Sequence, residues 1–350
     1  MKKISSVQLI TLLICSKLFY IMTYVPDKGQ NGMAFIITSI ITTVIQGIMV
    51  IPAVAFYNKN NGEGIFTFAE SKSRVLGICV CLVYLTDSLF AIITAMGNLS
   101  FFLQFCFSDT YAPWAIIIIL CATCFYISKM GISALARTTG IVVVITLISL
   151  ALVMSGFNHY NGLAGLNMAI KNPISKILSG IPRTIANSHE LVAYVILLSA
   201  LRNKPAKTAY GYLCIKVLIT ITAVLSVVLV LGDFATISKL PFFSLSAFSQ
   251  TKIIEHYEAF FMLIWTLCAI IKITLFTLCA QICVKQIFPK LSSSITIGIP
   301  LIIPAIITIP VLMKWKWEEI SLDHVKLILV IVSVVVIPLI LLMFKKRKPQ

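Results

Sequence analysis

Ile181-Pro-Arg-Thr-Ile-Ala-Asn-Ser-His-Glu-Leu-Val-Ala-Tyr-Val-Ile-Leu-Leu-Ser-Ala-Leu201 is the stretch that decides the fold. An α-helix of about 20 residues is long enough to cross a bilayer. The second half of the stretch is almost wholly apolar, whereas the first half contains Arg183, Asn187, Ser188, His189 and Glu190. A carboxylate in hydrocarbon is costly and normally faces a cavity or a partner. A span opened by a proline and divided in this way is typical of a broken transporter helix. We therefore predict a break at Asn187–Glu190 that lines a site.

The composition places the whole chain in a membrane. Of the 350 residues, 59% are hydrophobic and only 11% are charged, and the mean hydropathy is +1.01. A soluble domain has about 25% charged residues, so the sequence predicts an all-α polytopic membrane protein. The net charge of +16 lies mostly in short loops, which favours contact with anionic lipid headgroups over nucleic acid.

Ten apolar segments are candidate transmembrane helices. They run over about 7–25, 33–57, 75–106, 111–127, 139–157, 182–201, 209–231, 257–283, 294–313 and 325–344. We expect one transmembrane domain over residues 1–350, with a basic cytoplasmic tail at 345–350. Two outer loops, 158–181 and 232–256, are long enough to carry one short interfacial helix each; in the first loop we place it around Met168–Leu178.

The distribution of basic residues predicts that both termini are cytoplasmic. With the N-terminus inside, 16 of the 28 Lys and Arg residues fall on the cytoplasmic side, nine on the outer side and three within spans. Cytoplasmic loops carry the excess of Lys and Arg in membrane proteins. Ten spans divide into five plus five, and an odd number of spans in each half permits an inverted-repeat fold of the leucine-transporter type.

Four ionisable side chains lie near the middle of predicted spans: Lys17, Asp87, Glu190 and Lys272. Two are acidic and two are basic, so they can neutralise one another as internal ion pairs that hold helices in register. Intramembrane charges otherwise mark ligand or proton sites, and both interpretations stay open. Lys216 lies nearer the cytoplasmic end of its span, and we expect it to snorkel.

Few motifs suggest catalysis. His189-Glu190 begins like a zinc-protease motif, but Ala193 stands where the second histidine is needed. Cys121 and Cys124 have metal-ligand spacing inside an apolar span, where cysteine is usually a packing residue. We therefore expect no enzyme, no cofactor and no metal site.

Three stretches resemble the B-subunit family of bacterial spore germination receptors, which belongs to the amino acid–polyamine–organocation superfamily. The first is Ile4-Ser-Ser-Val-Gln8 leading into the first span, with Pro26 at its outer end. The second is the span with Glu190 and the following Arg202-Asn-Lys-Pro-Ala-Lys207. The third is Pro241-Phe-Phe-Ser-Leu-Ser, then Glu255-His-Tyr-Glu258, Trp265 and Lys272.

The resemblance implies ten helices in a leucine-transporter-type fold, with helices 1 and 6 broken around a ligand site. It also implies a protein that senses a nutrient germinant, such as an amino acid, in the spore inner membrane. The implied partners are an A subunit with membrane and soluble parts and a C-subunit lipoprotein.

Two departures from the family pattern affect the site. Helix 1 lacks the usual glycine and reads Cys15-Ser-Lys-Leu-Phe-Tyr-Ile-Met-Thr23. Either its break uses Ser16 and Thr23, or the helix is continuous; Lys17 can then stand for a coupling cation or pair with Glu190. The family also tends to have an arginine where this chain has His256, so no charge-pair role is transferred to that residue.

The predicted ligand site lies at the membrane midplane between helices 1, 3, 6 and 8. Its residues are Ser16, Lys17, Asp87, Asn187, Ser188, Glu190 and Lys272. In a receptor, Glu190 would accept a ligand amine. In the alternative, a proton-coupled amino acid transporter, Glu190 or Asp87 would carry the coupling proton. A purely structural membrane scaffold would bind no small molecule at all.

Overall fold

The computed structural model describes residues 3–23, 32–107, 112–155, 174–202, 204–232, 234–248, 257–314 and 322–344. Within these ranges every regular element is a helix, and the one β-type contact is an isolated bridge between Ile4 and Leu201. The prediction of an all-α membrane protein is confirmed. The basic tail at 345–350 and His256 lie outside the described residues.

The helices follow the order of the predicted spans. They are α1 (Ser6–Met22), α2 (Gly32–Met49), α3 (Ile51–Lys59), α4 (Ile65–Lys72), α5 (Arg74–Phe107), α6 (Pro113–Met130), α7 (Ile132–Ser155), α8 (Ile174–Ala186), α9 (His189–Leu197), α10 (Pro205–Leu231), α11 (Phe234–Ile237), α12 (Pro241–Phe248), α13 (Tyr257–Ile287), α14 (Ser293–Lys314), α15 (Asp323–Ile331) and α16 (Ile337–Met343). A π-helical turn, Val332–Val336, joins the last two.

Eight spans in the described chain are long and apolar enough to cross a membrane. They are formed by α2 with α3, by α5, α6, α7, α10, α13 and α14, and by α15 with the π turn and α16. The other two predicted spans coincide with α1, which has 17 residues, and with the pair α8 and α9. The exact ten-span count and the inverted repeat stay predictions.

The sixth span differs from its predicted boundaries. Its helix α8 begins at Ile174, so Pro182 lies inside the helix instead of opening it. Proline removes one backbone donor, but neighbouring helices and polar side chains allow a membrane helix to accommodate it. Of the segment around Met168–Leu178, where an interfacial helix is predicted, residues 174–178 belong to α8 and residues 168–173 lie outside the described residues. The second outer loop does contain short helices, α11 and α12.

Helix α1 is continuous, so the structure decides between the two alternatives for this span. Its N-terminus has a capping box in which Ser5 and Gln8 satisfy each other's backbone N–H groups. No break occurs at Ser16 or Lys17. The helix ends where Thr23 donates both its backbone N–H and its hydroxyl to the carbonyl of Phe19.

The centre of the molecule is built around α1. This helix packs against α7, α9, α10 and α13, and α13 packs along α5. Trp265 on α13 fixes one of these contacts, because its indole N–H donates to Phe19 O at 3.3 Å and its ring stacks on Phe19 at 5.2 Å. The packing brings the middle of α1 against the interruption between α8 and α9.

Candidate functional site

The sixth span is interrupted at Asn187 and Ser188, which we call the helix gap. The backbone N–H groups of these two residues still bond to Arg183 O and Ile185 O, at 3.1 and 3.0 Å. The Asn187 side chain also donates to Arg183 O, at 2.9 Å. Asparagine and serine offer the backbone such local alternatives to the helical ladder. The sequence thus ends α8 here, and α9 starts again at His189. The break predicted at Asn187–Glu190 is confirmed at Asn187 and Ser188, whereas His189 and Glu190 already belong to α9.

Glu190 is the charged centre of the site. It lies in the first turn of α9 and is fully buried. Its Oε1 accepts from Ser16 Oγ at 3.2 Å and from Lys272 Nζ at 3.3 Å. Lys272 also donates to the Ser16 carbonyl at 3.5 Å. The second carboxylate oxygen, Oε2, has no hydrogen-bond partner in the described structure. The carboxylate is therefore ion-paired through Oε1, while Oε2 is a buried acceptor without a hydrogen bond in the described structure.

Asp87 belongs to a second buried pair. Its Oδ1 lies 2.9 Å from His189 Nδ1, and both side chains are at most 3% exposed. Asp87 Oδ2 and His189 Nε2 have no partner among the described residues. Only one of the two acids, Glu190, forms an ion pair with a mid-span lysine in the described structure. Of the two lysine–acid pairs that one interpretation of the sequence allows, the described structure therefore contains one, and His189 on α9 pairs with Asp87 instead.

Lys17 contacts the helix gap, and no carboxylate of the described residues lies within ion-pair distance of it. Its Nζ donates to Asn187 O at 3.3 Å and lies 4.2 Å from the centre of the Tyr20 ring. The Asn187 carbonyl can accept this hydrogen bond because the helical hydrogen-bond pattern is interrupted here. The side chain is only 4% exposed, so an ammonium group and a backbone dipole meet inside the molecule.

Lys216 does not snorkel, in contrast to the prediction. It is 3% exposed and donates to Gln46 Oε1 on α2. The amide nitrogen of Gln46 in turn donates to Ser188 Oγ at 2.7 Å. The Ser188 hydroxyl donates to Thr184 O at 2.7 Å. Because Gln46 on α2 supplies a hydrogen-bond acceptor, Lys216 can stay buried instead of extending to the membrane surface.

The structure brings the predicted site residues together around the helix gap in small hydrogen-bonded groups. Ser16, Glu190 and Lys272 bond to one another, and Lys17, the neighbour of Ser16 on α1, bonds to Asn187. Ser188 accepts a hydrogen bond from Gln46, and Asp87 is hydrogen-bonded to His189, the neighbour of Glu190.

Sequence reasoning missed Gln46, Lys216 and His189 as members of this neighbourhood. A lone amide in an apolar span, such as Gln46, is a signal of interhelical bonding. It does not reveal its partner without the fold.

The arrangement has a definite chemical capacity. It presents buried groups of both signs near the helix gap, with two carboxylate oxygens, Glu190 Oε2 and Asp87 Oδ2, that have no hydrogen-bond partner among the described residues. Charged groups that are shielded from water interact strongly, so they can distinguish ligands by the charge that each ligand carries. Such a site suits a small polar or zwitterionic molecule.

Comparison with known proteins gives one family. A family model described as spore germination protein matches residues 3–314, which is nearly the whole chain. Among curated proteins, none matches the chain. Together with the apolar helices, the match identifies a permease-like integral membrane protein connected with spore germination. The chain belongs to the spore germination protein family.

Proposed function

We propose that this protein is the nutrient-sensing membrane subunit of a spore germination receptor, and that it binds a small molecule such as an amino acid at the helix gap. The observation that carries the proposal is Glu190. Its carboxylate is fully buried beside an interrupted helix, and one of its oxygens has no partner in the described structure. A ligand ammonium group would supply that partner. Burying an unsatisfied charged acceptor is otherwise costly.

The ligand would bind between α1, α5, the start of α9 and α13. Ser16 and Lys272 hold Oε1 of Glu190. Oε2 would then accept from the ligand. Because these groups come from separate helices, ligand occupancy can shift the equilibrium between two helix arrangements. Such a shift requires that the ligand bind one arrangement more tightly than the other.

The proposal includes an assembly and a location. Ten spans in a five-plus-five inverted repeat would place both termini in the cytoplasm, and the membrane would be the spore inner membrane. An A subunit and a C-subunit lipoprotein would read the conformational shift. The family membership and the broken sixth helix support this arrangement. No catalytic step is part of the proposal.

A Glu190→Gln variant tests the proposal. Glutamine keeps the shape but removes the negative charge, so binding of a labelled amino acid to the purified protein should weaken by tenfold or more. That loss corresponds to about 1.4 kcal/mol or more, within the range for a charge-assisted hydrogen bond. Glu70→Gln is the matched control, because Glu70 is exposed on α4. Unchanged binding by Glu190→Gln would refute the assignment.

The Asp87–His189 pair favours one alternative function, a proton-coupled amino acid transporter. A buried carboxylate and imidazole at 2.9 Å next to the proposed ligand residue are suited to carrying a proton. In that case, a proton gradient would drive accumulation of the amino acid into liposomes. Asp87→Asn would abolish accumulation and leave equilibrium binding measurable.

A further inference from the structure

Lys216 makes fewer hydrogen bonds than its ammonium group can donate. A lysine ammonium group has three N–H donors. Gln46 Oε1 is its one hydrogen-bond acceptor in the described structure, although the side chain is 97% removed from solvent by the fold. No carboxylate of the described residues lies within ion-pair distance of it. A buried cation that has neither a counter-charge nor full hydrogen bonding is costly.

Two other buried lysines near the helix gap, Lys272 and Lys17, have more contacts than Lys216. Lys272 pairs with Glu190 at 3.3 Å. Lys17 meets the Asn187 carbonyl and the face of the Tyr20 ring. Three lysines therefore face two carboxylates in the buried neighbourhood, and one carboxylate, that of Asp87, is held by His189 instead. Lys17 and Lys216 therefore both lack a carboxylate partner among the described residues, and Lys216 has the fewer contacts of the two, with Gln46 alone.

Gln46 ties this lysine to the proposed ligand site. Its amide accepts from Lys216 and donates to Ser188 Oγ in the helix gap at 2.7 Å. Ser188 and Glu190 are two residues apart at the start of α9. Lys216 is thus linked to this helix start from the α2 and α10 side through Gln46, and Glu190 is held from the α1 and α13 side through Ser16 and Lys272.

We propose that Lys216 is the residue that recognises a carboxylate group of the ligand, so that the site selects zwitterionic amino acids over amines and other molecules without a carboxylate. This inference rests on the proposed function. The ligand carboxylate would fill donors of Lys216, and its ammonium group would meet Glu190. Gln46 holds Lys216 in place and is a positioning residue.

The first experiment uses a minimal probe and does not depend on knowing the germinant. The full chain, reconstituted in lipid nanodiscs, is melted in sodium acetate and in acetamide at equal concentration and constant ionic strength. The two molecules have similar shape, but only acetate carries the charge. We expect acetate to raise the unfolding midpoint above that in acetamide, because a ligand that binds the native state stabilises it. Equal midpoints in the two would overturn the inference.

Three variants connect the effect to the residue. Lys216→Met should abolish the difference between acetate and acetamide. Lys207→Met, an exposed lysine on the same helix, should keep it. Gln46→Glu gives Lys216 an internal carboxylate of nearly the same shape, so it should preserve the fold and also abolish the acetate effect. An acetate preference that survives in both Lys216→Met and Gln46→Glu would overturn the inference, and so would its loss in Lys207→Met.

A second comparison separates this inference from the proposed function. Each amino acid that binds the wild-type protein is compared with its own carboxamide, which should bind at least about tenfold more weakly. If an amino acid binds in a Glu190-dependent way but its carboxamide binds equally well, the function stands and the role of Lys216 is wrong. If no amino acid binds while acetate still acts through Lys216, the anion site stands and the proposed function fails.

Discussion

The ion pair between Glu190 and Lys272 gives the most quantitative prediction for the site. Their charged atoms lie 3.3 Å apart, and both side chains are at most 5% exposed. At an effective dielectric constant of about 20, the attraction at this distance is about 5 kcal/mol. Desolvation of the two groups offsets much of this energy, so the intact pair contributes little net stability. Removal of one partner, in contrast, leaves the other charge buried alone.

We therefore expect Lys272→Met to lower the free energy of unfolding by about 3–5 kcal/mol, the cost of breaking a buried pair. Glu190→Gln should destabilise the protein by a similar amount, because Lys272 would lose its counter-charge and keep only neutral contacts: the amide oxygen, the Ser16 carbonyl at 3.5 Å and the Phe19 ring at 5.7 Å. The double variant should cost less than the two single variants together, by about 2 kcal/mol or more.

The assay is denaturant unfolding of the purified chain in mixed micelles, run as a double-mutant cycle. Lys285→Met is the matched control, because Lys285 is exposed on the same helix. It should change stability by less than about 0.5 kcal/mol. If the costs of the two single variants simply add to within about 0.5 kcal/mol, the pair does not interact as the structure has it, and the reasoning about the site is refuted.

Three further substitutions give independent predictions. Tyr84→Phe removes the hydrogen bond to Ser333 O in the π turn, 2.6 Å long, and should cost about 1–2 kcal/mol of unfolding free energy while speeding amide exchange in that turn. Asp87→Asn removes the charged partner of His189, so amino acid affinity should fall by about tenfold or less, as measured by equilibrium binding. Gln46→Ala removes the donor to the helix gap and should speed amide exchange at the start of α9.

Each of these predictions has a result that contradicts it. Tyr126→Phe is the control for Tyr84→Phe, because Tyr126 is 64% exposed. Equal stability of the two variants would show that the Tyr84 hydrogen bond to the π turn does not stabilise the protein. A binding loss for Asp87→Asn larger than that for Glu190→Gln would place the ligand nearer the Asp87–His189 pair. Slow exchange at the helix gap in Gln46→Ala would show that Gln46 does not hold it.

The sequence predicts the membrane fold and the position of the helix gap for local reasons. Long apolar segments identify spans because lipid requires internally satisfied backbone groups. Asn187 and Ser188 end α8 through side-chain bonds to their own backbone neighbourhood, which is also local. Pro182 misled the prediction of where α8 begins, since proline usually marks a helix start, whereas a membrane helix accommodates it within a turn.

The partners of the buried charges were harder to predict, because each choice depends on helix packing. Lys17 and Lys272 were equally plausible partners for Glu190, and only the approach of α13 to α1 makes Lys272 the closer one. Asp87 meets His189 because α9 crosses α5 at that level. Lys216 stays inside because Gln46 faces it from α2. The spacing of residues in the sequence predicts none of these three pairings.

The most direct test of the central claim is binding measured against uptake in one preparation of the full chain in liposomes. A labelled panel of amino acids is offered with and without a proton gradient, to the wild-type protein and to Glu190→Gln. The account predicts saturable binding that needs Glu190 and shows no accumulation when the gradient is present. Accumulation driven by the gradient would make the protein a transporter. Binding that is the same in Glu190→Gln would contradict the site at the helix gap.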